Sequence, residues 1–112
     1  MEIAEYLDED GDSPFGKWFA DVDVQAALRV RRALARMEQG NFGDSKGVGE
    51  GVMERRIPFG PGYRLYYGRD GETLVILLIG GTKKRQSDDI DAAKQHWAAY
   101  KARKEQDNGS DP

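Results

Sequence analysis

Apolar residues recur at three- and four-residue spacing in two segments, and this pattern predicts two amphipathic helices. The first stripe consists of Ala27, Val30, Leu34 and Met37, and the second of Ile90, Ala93, Trp97 and Tyr100. Asp21 or Asp23 can cap the first helix, which Gly40 ends, and Ser87 can cap the second. Ser13-Pro14 predicts a further short helix from Phe15 to about Ala20.

Between these helices the pattern changes to short runs that predict strands. "VMERRI" (52–57) and "GYRLYY" (62–67) flank a short hairpin loop, and "TLVILLIGG" (73–81) follows as an apolar run typical of a central strand covered on both faces. "EIAEYL" (2–7) predicts an edge strand. The glycine-rich stretch "GNFGDSKGVGEG" (40–51) is interpreted as a flexible connection without the order of a phosphate-binding loop.

These elements predict an α+β fold, a mostly antiparallel sheet with an N-terminal helical pair on one face and a C-terminal helix. We expect one domain over residues 1–104. Residues 105–112 have the composition of a disordered acidic tail, for which we expect mobility.

The predicted hairpin carries an unusual concentration of charge. If the loop 58–62 closes symmetrically, Arg56 lies opposite Arg64, and Glu54 lies opposite Tyr66, all on one sheet face. Tyr63 and Leu65 then point towards the helical pair. Two arginines opposite each other are unfavourable unless Glu54 bridges them or an anion lies between them, and the planar arginine fork matches phosphate oxygens. Lys83 and Lys84 follow the last strand and are expected near this face.

Charge is distributed unevenly along the chain. Nine of the 20 acids lie in residues 1–13 and 105–112, which leaves eleven acids against 17 bases between residues 14 and 104. A basic body with acidic ends is compatible with a polyanionic partner, although a mixed, solvated surface would give the same balance. Arg29, Arg32 and Arg36 form a second stripe on the first long helix. That stripe could contact RNA phosphates, an acidic partner, or only water.

Composition excludes several kinds of chemistry. The chain has no cysteine and one histidine, so disulfides and thiol nucleophiles are excluded, and we expect neither a metal nor a cofactor. No run of eighteen apolar residues predicts a membrane span, and the acidic N-terminus does not have the pattern of a signal peptide. A cytoplasmic protein without membrane contact is the simplest expectation.

Four stretches in order, "PFGKWF", "ARMEQGNFGD", "ERRIPFGPGYRLYY" and "LLIGGTKKRQSDDIDAAK", resemble the RelE/ParE superfamily of toxins from bacterial toxin–antitoxin pairs. The resemblance is greatest to the HigB-like, phage-type addiction module killer branch and covers about residues 13–103. It implies a RelE-like fold and the toxin of a type II toxin–antitoxin system. RelE-like and HigB-like members cut messenger RNA on the ribosome without metal, whereas ParE-like members inhibit DNA gyrase.

The resemblance also implies partners and site residues. The partners would be an antitoxin, expected to be a small helix-turn-helix protein, the ribosome and its mRNA, and operator DNA only through the antitoxin complex. The catalytic candidates are Glu54, Arg56, Arg64, Tyr66 and Lys83. The candidates for binding RNA phosphates are Arg55, Lys84, Arg29, Arg32 and Arg36. Glu54 stands where the family has a lysine.

Each catalytic candidate has an expected role in RNA cleavage. Arg56, Arg64 and Lys83 would stabilise the phosphorane, and Tyr66 could donate a proton. Glu54 could act as a base if burial raises its pKa, or it could form only a surface salt bridge. The alternative function is a binding toxin that inhibits gyrase in the ParE manner, or a protein that acts only through its antitoxin.

Overall fold

A computed structural model describes residues 1–109 of the chain. In chain order its elements are β1 (Glu2–Glu5), α1 (Pro14–Asp21), α2 (Val24–Glu38), β2 (Ser45–Gly49), β3 (Val52–Ile57), β4 (Tyr63–Asp70), β5 (Leu74–Thr82) and α3 (Gln86–Gly109). A 3-10 turn, Lys83–Arg85, leads into α3. The chain therefore has the α+β fold that its pattern predicts.

The five strands form one mixed sheet in the order β1-β5-β4-β3-β2. The pairs β2–β3, β3–β4 and β4–β5 are antiparallel, whereas the edge strand β1 runs parallel to β5. The predicted edge strand within residues 2–7 is thus confirmed over residues 2–5. The parallel edge could not be predicted, because the pattern of a strand does not specify its direction.

The expectation that residues 40–51 form only a flexible connection was wrong. Residues 45–49 form the second edge strand, β2, which pairs with β3. A tight turn makes this possible, since Gly49, Glu50 and Gly51 all have positive φ. Cross-strand pairing therefore overrides the weak strand propensity of this glycine-rich segment.

Capping side chains begin the first two helices as predicted. Ser13 Oγ accepts a hydrogen bond from the backbone N–H of Gly16 at 2.8 Å. Asp23 Oδ1 accepts one from the N–H of Gln25 at 2.7 Å. These bonds satisfy N–H groups that have no partner within their own helix.

The sheet separates two apolar clusters. On one face α1 and α2 cover strand residues that include Leu65 and Tyr67, and on the other face α3 covers strand residues that include Tyr66 and Leu78. The buried residues of α2 are Ala26, Val30, Ala33 and Met37, so the buried stripe is rotated slightly from the predicted one. In α3, Ala93 and Trp97 are buried, and Ile90 and Tyr100 pack beside them.

Helix α3 continues to Gly109. The predicted domain boundary at residue 104 lies within this helix, and residues 105–109 belong to the helix, while their expected mobility stays a prediction. Residues 110–112 of the predicted tail lie outside the described residues. No helix within residues 1–109 combines the length and the apolar composition that crossing a membrane requires.

Candidate functional site

The predicted register of the β3–β4 hairpin is confirmed. Glu54 pairs with Tyr66, and Arg56 pairs with Arg64. These four side chains share the sheet face that α3 partly covers, while Tyr63 and Leu65 belong to the cluster under the helical pair. On its other side Glu54 pairs with Lys46 of β2.

Glu54 is the centre of a polar cluster, because both of its carboxylate oxygens have partners. Oε1 accepts hydrogen bonds from Arg64 Nη1 at 3.2 Å and from Arg56 Nε at 3.5 Å, and Lys46 Nζ lies 4.0 Å away. Oε2 accepts hydrogen bonds from the Tyr66 hydroxyl at 3.0 Å and from Gln86 Nε2 at 2.8 Å. We call Glu54 with these five residues the Glu54 cluster.

The surroundings of Glu54 favour its ionised form. Burial acts to raise the pKa of this carboxyl, but hydrogen bonds from Gln86 and Tyr66 and the charge of Arg64 outweigh burial and lower the pKa. Glu54 is therefore a carboxylate at neutral pH. Burial and the adjacent Glu54 charge raise the pKa of Tyr66 well above its ordinary value. The Tyr66 hydroxyl is therefore held as a neutral donor to Glu54.

The cluster is only partly open to solvent. Glu54 and Tyr66 are fully buried, and Arg64 is 7% exposed. The side chains of Arg56 and Lys46 are 41% and 50% exposed. Three basic side chains surround one carboxylate, so the cluster carries excess positive charge, and Arg56 and Lys46 present that charge to solvent.

The other predicted site residues are not members of the Glu54 cluster. Lys83 and Lys84 are exposed in the 3-10 turn, and the backbone N–H of Lys83 donates to the carbonyl of Gly62 at 2.8 Å. Within residues 1–109, no hydrogen bond or ion pair joins either lysine to the Glu54 cluster. The remaining four predicted residues line a pocket between β3 and α2, which Arg56 also lines: Arg29, Arg32, Arg36 and Arg55.

Sequence reasoning missed three residues at this face: Lys46, Gln86 and Asp89. Lys46 was missed because β2 was not predicted, and its position opposite Glu54 follows only from strand pairing. Gln86 lies in the first turn of α3, after the strand that pairs with β4. The stretch "GGTKKRQS" indicates the end of a strand, a short turn and the start of a helix. This order would have predicted a side chain near this face, but it would not have identified Gln86 as that side chain.

Asp89 lies one turn along α3 from Gln86 and is 8% exposed. Its Oδ2 atom is buried without a hydrogen-bond partner, and burial raises the pKa of this carboxyl. A Cβ atom on Gly81, the residue paired with Arg64, would collide with Oδ2. Glycine at position 81 thus lets the start of α3 approach the sheet beside the Glu54 cluster.

A group of acidic oxygens lies outside the Glu54 cluster. Asp8, Asp10 and Asp12 bring carboxylate oxygens within 4.8 Å of one another. Asp8 Oδ1 already accepts hydrogen bonds from the backbone N–H groups of Asp10 and Asp12, at 2.9 and 3.0 Å. The group is therefore explained as a turn that follows β1, without a bound cation.

Comparison with known proteins adds one relative. A protein of Haemophilus influenzae, described as uncharacterized, is 41% identical over 81 residues, which are 71% of this chain and 82% of the relative. The chain belongs to the family of that protein. No protein-family model matches the chain. The name of the H. influenzae protein assigns no activity, so the function of this family has to be argued from the site.

Proposed function

We propose that the chain is a RelE/ParE-superfamily toxin of the HigB-like branch that cuts messenger RNA on the ribosome without a metal ion. The observation that carries the proposal is the Glu54 cluster, in which one buried carboxylate holds basic side chains beside one another and leaves Arg56 and Lys46 facing solvent. Excess positive charge at a partly open sheet face is suited to binding a phosphodiester, which is negatively charged.

The toxin-like motifs coincide with this cluster. The arginine of "GYR" is Arg64, which contacts Glu54 at 3.2 Å. Glu54 itself stands where the resemblance implies a lysine, and this departure removes a positive charge. Lys46 supplies an ammonium group from the neighbouring strand, 4.0 Å from Glu54. The RelE-like assignment is thus supported by a set of charges similar to the implied one, with one lysine moved from β3 to β2.

The proposed reaction is attack of a ribose 2′-oxygen on the adjacent phosphorus. The 2′-hydroxyl gives its proton to a solvent water, a new P–O bond forms, the bond to the 5′-oxygen breaks, and that oxygen takes a proton from water. The products are a 2′,3′-cyclic phosphate and a 5′-hydroxyl. Negative charge builds on the non-bridging phosphate oxygens during this step. Cationic donors that are already positioned beside these oxygens stabilise the charge and lower the barrier. Arg56 and Lys46 would contact these oxygens.

The buried members of the cluster are suited to positioning rather than to proton transfer. Glu54 has a lowered pKa, and its hydrogen-bond partners within residues 1–109 all donate to it, so it is a weak base. Tyr66 has a raised pKa and no exposed surface, so it is a weak acid. In this proposal Tyr66 and Gln86 hold Glu54 in place, and Glu54 orients Arg56 and Arg64. Arg64 adds its positive charge from beneath the open part of the cluster.

The proposal includes partners. A toxin of this type is silenced by a cognate antitoxin, for which a small helix-turn-helix protein remains the expectation, and it contacts operator DNA only through the antitoxin complex. Its targets are the ribosome and the mRNA being translated, which places the activity in the cytoplasm. The excess of bases between residues 14 and 104 is consistent with ribosomal RNA as a partner.

A second candidate is a binding toxin that inhibits DNA gyrase in the ParE manner. The observation that favours it is the burial of Arg64 and Tyr66, which expose 7% and 0% of their surfaces. In that case the Glu54 cluster would be a structural network, and the arginines at its edge would contact protein rather than RNA.

One experiment separates the two candidates. The purified chain is added to a reconstituted translation system with a defined mRNA, and in parallel to a gyrase supercoiling reaction. The nuclease proposal predicts new mRNA ends carrying 2′,3′-cyclic phosphate and 5′-hydroxyl groups, only when the mRNA is being translated, with supercoiling unaffected. Intact mRNA together with inhibited supercoiling would replace it with the gyrase candidate.

A further inference from the structure

A pocket of about 180 Å³ lies between α2 and β3, and Arg56 of the Glu54 cluster forms part of its lining. Its charged lining consists of Arg29, Arg32, Arg36, Arg55 and Arg56, and no acidic residue among the described residues 1–109 lines it. The volume is several times the ~30 Å³ that one water molecule occupies in the liquid. The pocket can therefore hold a small polyatomic anion.

Arg55 forms the buried wall of this pocket. The residue is 6% exposed, and its Nε and Nη1 atoms are buried without a hydrogen-bond partner. A Cβ atom on Gly43 would collide with the Arg55 guanidinium, so glycine at position 43 makes room for this group. A buried charged donor without a partner is costly, and native structures normally supply one.

Electrostatics at Arg55 are unfavourable without an added anion. Burial and the nearby charge of Arg36 lower the pKa of Arg55, and Tyr67 and Asp44 only partly oppose them. Within residues 1–109, no ion pair is formed by Arg29, Arg32, Arg36 or Arg55. Arg29 is instead held at the rim by Phe59, whose ring centre lies 4.1 Å from the guanidinium carbon.

We infer that this pocket is a phosphate-binding site, which shares Arg56 with the Glu54 cluster but is inferred from Arg55 and the arginines of α2 rather than from the proposed nuclease activity. Two unpartnered N–H groups on one arginine offer the donors that an oxyanion accepts. Four further arginines line the space, so a ligand that can carry more than one negative charge compensates them better than a single carboxylate does. The ligand class is therefore a phosphate group.

The phosphate could belong to an RNA backbone or to a free phosphate compound. Arg56 bears on this distinction, because it lines the pocket and its Nε atom also lies 3.5 Å from Glu54 Oε1. A phosphodiester chain that passes Arg56 could therefore contact both sites, whereas a free phosphate would occupy the pocket alone. The experiment below has one arm for each source.

The test uses the full chain and follows arginine Nε–Hε signals by NMR during titration with inorganic phosphate, and separately with a 2′-O-methyl RNA decamer. We expect the Arg55 signal to shift and saturate with phosphate. Arg55→Met, which keeps an apolar side chain of similar length, should weaken phosphate binding at least about 10-fold. Arg31→Met, on the exposed surface of the same helix, is the matched control and should bind as the wild type does.

The RNA arm identifies the source of the phosphate. An RNA backbone is indicated if the protein binds the decamer at least about 10-fold more tightly than it binds phosphate. In addition, the salt dependence of decamer binding should fall by about one released counterion in Arg55→Met. Equal affinities indicate a free phosphate compound. Should Arg55→Met fail to fold, Arg32→Met takes its place, since Arg32 is exposed and its loss leaves no buried group unpaired.

Three results would overturn the inference. The first is a phosphate titration that does not saturate. The second is a loss of affinity in Arg31→Met equal to the loss in Arg55→Met, which would show only a general charge effect. The third is tighter binding of a glutamate octapeptide than of phosphate, which would make the pocket a site for an acidic protein segment.

Discussion

The Tyr66 hydroxyl donates a 3.0 Å hydrogen bond to Glu54 Oε2, and the two residues are paired across β3 and β4. Because both are fully buried, the carboxylate depends on its protein partners rather than on water. The same carboxylate holds Arg64, so the basic residues at this face are fixed by a network built around one acid. The stability and the activity of the protein should therefore respond differently to changes at different members of the cluster.

Glu54→Gln should destabilise the protein strongly. The substitution keeps the size of the side chain but removes the charge that compensates the buried Arg64, and such a loss typically costs about 3–5 kcal/mol. Urea denaturation measures the change in the free energy of unfolding. Glu50→Gln is the matched control, because Glu50 lies in the β2–β3 turn with a side chain that is 72% exposed. Similar losses in both variants would contradict the central position of Glu54.

Arg64→Met should restore part of the stability that Glu54→Gln removes. Glu54→Gln leaves the buried Arg64 without its counter-charge, and Arg64→Met removes the buried cation beside Glu54, whereas the double substitution removes both charges, and such pairs are strongly non-additive. A double-mutant cycle by urea denaturation measures the coupling, which we expect to exceed about 1 kcal/mol. Simple addition of the two losses would show that the 3.2 Å contact contributes little.

The contribution of Glu54 to stability should disappear in acid. The pKa of Glu54 is lowered from its ordinary value of 4.5 in the folded chain, so ionised Glu54 stabilises the fold above that value. The difference in unfolding free energy between wild type and Glu54→Gln should therefore shrink as the pH falls through the folded pKa. Urea denaturation of both proteins over a series of pH values tests this. Asp8 and Asp70 are present in both proteins, so their contributions cancel in the difference. A difference that grows in acid would mean a raised pKa.

Gly68→Ala should destabilise the fold through packing against α3. A Cβ atom at position 68 would lie 2.6 Å from the ring of Trp97, which is buried and cannot move aside easily. Overpacking of this kind typically costs about 1–3 kcal/mol. Gly47→Ala is the control, because its nearest neighbour would be Met53 Sδ at 3.8 Å. Equal melting temperatures for the two variants would show that α3 packs loosely on the sheet.

Local sequence signals predicted most of the fold. Ser13 and Asp23 cap the helices that their positions indicate, and the five-residue loop at 58–62 gave the register that pairs Arg56 with Arg64. Two features depended on distant parts of the chain. One is the parallel alignment of β1 with β5, and the other is β2, whose glycine-rich sequence forms a strand only because β3 offers a pairing edge.

The candidate site could be predicted in part for the same reason. Residues on the hairpin share a face by alternation, so Glu54, Arg56, Arg64 and Tyr66 were found together. Lys46 and Gln86 come from β2 and from the start of α3, and their positions depend on tertiary packing. The burial of Arg64 also depends on how closely α3 approaches Gly81, which periodicity does not show.

The central claim is that the Glu54 cluster presents Arg56 and Lys46 to a scissile phosphate, and the direct measurement is the single-turnover rate of mRNA cleavage on translating ribosomes. Arg56→Ala and Lys46→Ala should each lower this rate by about 10²–10³-fold while the melting temperature stays near that of the wild type, because both side chains are substantially exposed. Lys17→Ala, at an exposed ion pair with Asp12, should cleave as the wild type does. Cleavage at the wild-type rate by Arg56→Ala and Lys46→Ala would contradict the account.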